Sequence, residues 1–221
     1  MSGTIKETLS KAAIFLWMTV GLCYVFLKLP AAVGFNDKEL ARMVVLHLPC
    51  AYVAVIMAFV SGWHAIAYLK KRVLLSDGKA ANAASLAALF CLLTTVTGAF
   101  FAKVQWGDYW NWDPRQTSVF LLLLIYAAYF VLRASIEDEE KRAAVSAVYM
   151  LFAVVMTPLL GYFIPKAMPQ SLHPKMASFD SNYRMAIYVF MLPPMLWLTL
   201  WIYGLSVRIE KLRLAKLERD L

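Results

Sequence analysis

The sequence predicts an all-α membrane protein, a single polytopic helical bundle with six transmembrane helices and both termini on the cytoplasmic side. Three observations carry that expectation. The chain is 62% hydrophobic and 16% charged over 221 residues, more apolar surface than a soluble domain of this size can bury, so the bilayer must cover the excess. Six apolar stretches reach the roughly 20 residues that a helix needs to cross the hydrocarbon core. Most of the 22 lysines and arginines fall in the segments that would lie inside if the N-terminus does, as the positive-inside rule requires.

The spans fall near residues 12–29, 43–69, 83–102, 117–135, 143–164 and 185–206. Lys6 and Lys11 ahead of the first resemble the start of a signal peptide. Its apolar run exceeds the roughly 7–15 residues of such a segment, however, and reads as a retained helix. Two inner connections, Lys70 to Asn82 with Ser76-Asp77-Gly78 and Ser135 to Arg142 with Glu137-Asp138-Glu139-Glu140, read as solvated charged turns. The outer loops are 30–42, 103–116 and 165–184. In the last of them Pro165, Pro169 and Pro174 forbid a continuous helix. No linker or repeat divides the chain, so residues 1–221 are read as one domain.

The net charge of +8 is scattered over helix ends and not gathered on one face, which speaks for membrane orientation and against nucleic acid. Cys23, Cys50 and Cys91 lie within spans and form no C-x-x-C pair, so no disulfide framework is expected. Cys50 would share a helix face with His47. No phosphate-binding loop and no H-E-x-x-H motif occurs, and an enzyme is not expected.

The strongest local signal runs from Trp106 to Arg115. In a helical conformation Trp106 and Trp110 would share a face flanked by Tyr109 and Trp112, a platform for a large planar ligand. The same aromatics also suit an interfacial belt. Asp113-Pro114-Arg115-Gln116 reads as a helix start, with aspartate as N-cap, proline in the first turn and glutamine reaching back from the third position. Arg115 opposes the helix dipole there. It is set to take a carboxylate from a ligand or the phosphate of a lipid.

His47, near the outer end of the second span, and His173, in the third outer loop, fall on the same side as the tryptophans. His64 is 17 residues beyond His47, roughly 25 Å along the helix, and belongs to the inner surface. Haem has a planar apolar ring, two carboxylates on one edge and two axial iron positions commonly filled by imidazole, and the set fits it.

At these residues the sequence resembles the CcmC family of cytochrome c maturation, haem-handling proteins named for a tryptophan-rich WWD motif. The likeness runs through Thr97-Gly98, Ala102-Lys103, Trp106-Gly107, Trp110-Asn111-Trp112-Asp113, Arg115 and Thr117-Ser118, and includes the His-Leu-Pro setting of His47 and the histidine at 173. The resemblance implies that His47 and His173 are axial ligands to the iron of a haem b. It places the platform and propionate contacts on Trp106, Gly107, Trp110, Trp112, Asp113, Arg115 and Ser118, at the periplasmic face of a bacterial inner membrane. It also implies transfer of that haem to the chaperone CcmE, within an export complex that includes CcmA, CcmB and CcmD. Pro114 departs from the pattern towards the CcsA-type cytochrome c synthases, which makes a haem lyase the alternative. Arg115 followed by Thr117-Ser118 leans back towards CcmC.

Overall fold

The computed structural model describes residues 2–174 and 179–220, and all regular structure among them is helical. Helix α1 covers Ser2–Leu27, α2 Val44–Lys71, α3 Leu74–Trp106, α4 Pro114–Ala134 and α5 Glu139–Pro158. A π-helical segment, Leu159–Phe163, joins α5 to the short α6, Ile164–Ala167. The last span runs from α7, Ser181–Met185, through a second π segment, Ala186–Met191, into α8, Leu192–Asp220. Six of the resulting stretches are long and apolar enough to cross a membrane.

Small side chains set the packing. Ala54, Ala58 and Ala65 of α2 meet Ala80, Ala83, Ala84 and Ala87 of α3 in one buried cluster, to which α5 adds Ala143, Ala147 and Ala153. Such residues let helix backbones approach closely where apolar burial alone gives no preference between lipid and protein. Ser61 donates to the Ala80 carbonyl at 2.8 Å across the α2–α3 seam. Large apolar side chains point outward instead, among them Phe15, Trp63, Val131 and Val155. That inversion of a soluble fold suits a lipid surround.

The helices overrun the expected spans, and one connection differs in kind. Between α2 and α3 only Arg72 and Val73 are non-helical, with Arg72 in the left-handed region at φ 53° as the C-cap of α2. Ser76-Asp77-Gly78 is therefore not a solvated turn but part of α3. Asp77 is buried there and accepts two hydrogen bonds from the Arg133 guanidinium of α4, at 2.7 and 2.9 Å. The turn-like composition was overridden by a partner on another helix. The second inner connection is a turn only as far as Asp138, which caps α5 through the Lys141 N–H; Glu139 to Arg142 already belong to that helix, where Glu139 pairs with Arg142 and Arg213.

At the other end of the bundle, the three loops expected to lie outside converge. Gln105 at the end of α3 accepts from the Asp37 N–H at 3.3 Å and donates to the Asp37 carbonyl at 2.9 Å. Asn36 donates to the Gln105 carbonyl. Arg42 reaches the Leu29 carbonyl and pairs with Glu39, while the Tyr183 hydroxyl donates to the Pro30 carbonyl at 3.1 Å. These bonds hold the loop after α1 against α3 and α7, and so frame the space around Trp106 and His173.

Candidate functional site

His47 lies on the first turn of α2, facing α3. Its Nδ1 is 3.0 Å from the Thr97 hydroxyl oxygen. That hydroxyl has one proton and donates it to the Leu93 carbonyl at 2.7 Å, so it can only accept from the imidazole. His47 therefore carries its proton on Nδ1, which leaves Nε2 with a free lone pair, the form that binds a metal. Gly98 makes the approach possible, because a Cβ there would sit 2.9 Å from His47 Cε1.

His173, from the loop before α7, is brought to His47 with ring centres 6.2 Å apart and planes inclined by 47°. Its other neighbour is Trp106, again at 6.2 Å. The Nδ1 atom of His173 is buried, has no hydrogen-bond partner and stands 3.7 Å from Asp113 Oδ1, a charge-pair distance and not a hydrogen bond.

Asp113 caps α4 as expected, accepting from the Arg115 N–H at 2.8 Å with Pro114 in the first turn. It also accepts from the Leu172 N–H at 2.6 Å and from the Ser171 hydroxyl at 3.1 Å. Burial works to raise the pKa of this carboxyl. The His173 imidazole and the backbone N–H groups of Arg115 and Leu172 outweigh it and hold the group well below the usual carboxylate range.

The tryptophans do not form the single helical face that their spacing suggests. Gly107 ends α3 in the left-handed region at φ 93°, where its carbonyl is held by Lys103 Nζ at 2.6 Å, and residues 108–113 are irregular. Trp106 stays on α3 against His173 and Phe101. Trp110 instead meets Trp112 edge-on at 5.9 Å and packs on Phe120 of α4. Trp112 is 77% exposed and sits at φ 54°, a strained conformation for a bulky residue. Gln116 does not reach back to the cap. It accepts from the Asn111 N–H at 3.0 Å and donates to the Tyr109 carbonyl, which braces the loop further upstream.

The Arg115 guanidinium forms no hydrogen bond or ion pair among the described residues; its backbone N–H is engaged by Asp113. Ser118, one turn further along α4, is buried. His64 does not join the group and lies instead against Tyr203 of α8, with ring centres 6.3 Å apart. A cavity of about 280 Å³ adjoins Trp106, lined by Phe35, Asn36, Gln105, Leu172 and Pro174 among others. No cluster of three or more His, Cys, Asp or Glu side chains able to hold a bare metal ion occurs among the described residues. The arrangement instead presents two imidazoles, an indole and an unpaired guanidinium, donors for a metal complex that brings its own equatorial ligands and an anionic edge.

Thr97, Gly98, Ser171 and Gln105 carry much of this geometry. Thr97 and Gly98 lay within the family likeness, but nothing in their local pattern announced a contact to a histidine 50 positions earlier in the chain. For Ser171 the only signal was its place two residues before His173.

Comparison with known proteins identifies the family. The family model described as Heme exporter protein C matches residues 1–221. Heme exporter protein C of Rhodobacter capsulatus is 30% identical over 151 residues, covering 68% of this chain and 62% of that protein. A putative cytochrome c biosynthesis ccmC-like mitochondrial protein of Marchantia polymorpha is 26% identical over 150 residues, covering 68% and 63%. Heme exporter protein C of Escherichia coli K12 is 27% identical over 184 residues, covering 79% and 73%. The chain thus spans under two thirds of the length of the first two relatives. By its full-length match, this chain belongs to the heme exporter protein C family.

Proposed function

We propose that the protein binds haem b as cargo at the periplasmic face of a bacterial inner membrane and presents it to the haem chaperone CcmE. In this reading it works within an export complex with CcmA, CcmB and CcmD and makes no covalent bond to the haem itself. One observation carries the assignment: His47, in its metal-binding tautomer, faces His173 at 6.2 Å between ring centres. Metal–imidazole bonds of about 2 Å put two imidazole centres on opposite sides of one iron roughly 6 Å apart. Trp106 beside His173 supplies apolar contact to the ring, and Gly107, Trp110 and Trp112 extend it towards the surface. The Arg115 guanidinium, without a partner among the described residues, is placed for a propionate, with Ser118 one turn further along α4.

Release must follow binding in a carrier. Of the two ligands, His47 is fixed in a helix and His173 is on a loop, so movement of that loop can break one iron bond without disturbing the bundle. The haem lyase alternative shares the tryptophan motif, and Pro114, the departure towards it, also serves as the first-turn proline of α4.

The test is the absorption spectrum of the detergent-purified protein after haem addition, beside His47→Ala, His173→Ala and His64→Ala. The expected result is a bis-histidine haem b spectrum in the parent and in His64→Ala, lost or changed in the other two. Equal haem spectra in all four would defeat the ligand assignment.

A further inference from the structure

Asp113 belongs to the tryptophan motif by sequence but does not face outward with its neighbours. Its side chain is fully buried, whereas Trp112 beside it is exposed. Two of its contacts, the Ser171 hydroxyl and the Leu172 N–H, come from the residues immediately before His173, and a third group, His173 Nδ1, faces it at 3.7 Å. Ser171 in turn accepts from the His173 N–H at 3.4 Å. One carboxylate therefore ties the start of α4 to the backbone, the hydroxyl and the ring of the loop that ends in His173.

We propose that Asp113 is a positioning residue for His173, the carboxylate behind the imidazole, and not a contact to the haem. The inference rests on the haem-binding reading above. Like charge opposes a direct approach of this carboxylate to a haem propionate, and its oxygens are already taken by donors from this chain. A metal-bound histidine whose second ring nitrogen donates to a carboxylate is fixed in orientation and tautomer, and its metal-bound nitrogen becomes more basic; from 3.7 Å, His173 Nδ1 needs only a small shift to make that bond to Asp113. His47 has a neutral hydroxyl in the same role. The two ligands are thus backed unequally. The bond from His173 depends on Asp113 keeping the loop in place, and that is the bond whose loss would free the haem.

Helix capping alone would also bury an aspartate here, so the test separates the two roles. Asn and Ser cap helices about as well as Asp, whereas Asp113→Asn removes the charge and puts donors against the Leu172 N–H and the Ser171 hydroxyl, and Asp113→Ser is too short to reach the loop. Each variant is purified, loaded with haem and compared with the parent and with His173→Ala by absorption and electron paramagnetic resonance, with and without excess imidazole. The expected result is a parent-like far-ultraviolet helix signal, haem retention about 10- to 100-fold weaker, and the spectrum of His173→Ala, returned to low spin by added imidazole. A parent-like low-spin spectrum and haem retention in both variants would reduce Asp113 to a cap and overturn the proposal while leaving the ligand assignment intact. A parent protein that binds no haem would overturn both together.

Discussion

At the scale of single residues, the site depends on contacts that keep a histidine in one orientation. Thr97 accepts the His47 Nδ1 proton because its own proton is committed to Leu93. Thr97→Val keeps the shape and removes the hydroxyl acceptor that orients the His47 ring. We expect haem affinity to fall about tenfold or more while Thr97→Ser stays near the parent, as read by haem titration. Gly98→Ala places a methyl 2.9 Å from His47 Cε1 and must push the ring aside. It should alter the haem spectrum as His47→Ala does, with the far-ultraviolet helix signal unchanged. The sequence pointed to both histidines, the cap at Asp113 and the cation at Arg115. It was silent on Thr97 as the partner of His47, because a hydroxyl in an apolar helix ordinarily bonds its own backbone, as Thr94 does with Phe90.

At the scale of elements, the helix ends decide the shape of the site. Gly107 at φ 93° turns the chain out of α3, so the motif splits into Trp106 under His173 and a separate Trp110–Trp112 pair. The four-residue spacing suggested a shared face because nothing in the pattern of aromatics announces a C-cap except the glycine itself. The opposite end of the bundle shows the reverse error, where Ser76-Asp77-Gly78 looked like a turn and is helix. Asp77 is tolerated there because Arg133 neutralises it with two hydrogen bonds. Removing one partner leaves an uncompensated buried charge, at a cost on the order of 3–5 kcal/mol. Arg133→Met should therefore lower the thermal midpoint in detergent, and Asp77→Asn added to it should recover a large part of the loss. Equal midpoints for the single and double variants would show that the pair is not what stabilises this end.

At the scale of the whole molecule, six helices running alternately up and down put the tryptophan loop, the loop after α1 and the His173 loop at one end. We propose from the distribution of lysine and arginine that this end faces the periplasm. With a membrane-impermeant thiol reagent, Asp108→Cys should label in intact cells, whereas Ser135→Cys, in the connection between α4 and α5, should label only after lysis. The opposite pattern would invert the topology and remove the periplasmic assignment. Native Cys23, which is exposed on the outside of α1, should be replaced by serine first so that it does not contribute.

What the sequence by itself determined is what depends on composition and period. Six spans follow from runs of apolar residues, one side's loops stand out by tryptophan and proline, and the cap at Asp113 follows from four consecutive residues. These are local properties, settled by hydrophobic length and by backbone groups a few positions apart. What only the tertiary structure decided is who meets whom. His47 finds Thr97 and His173, Asp113 finds Ser171 and Leu172, and Asp77 finds Arg133, over separations of 50 or more residues. Those pairings are set by how small-residue seams bring the helices together, and no pattern along one segment records its neighbour across the bundle.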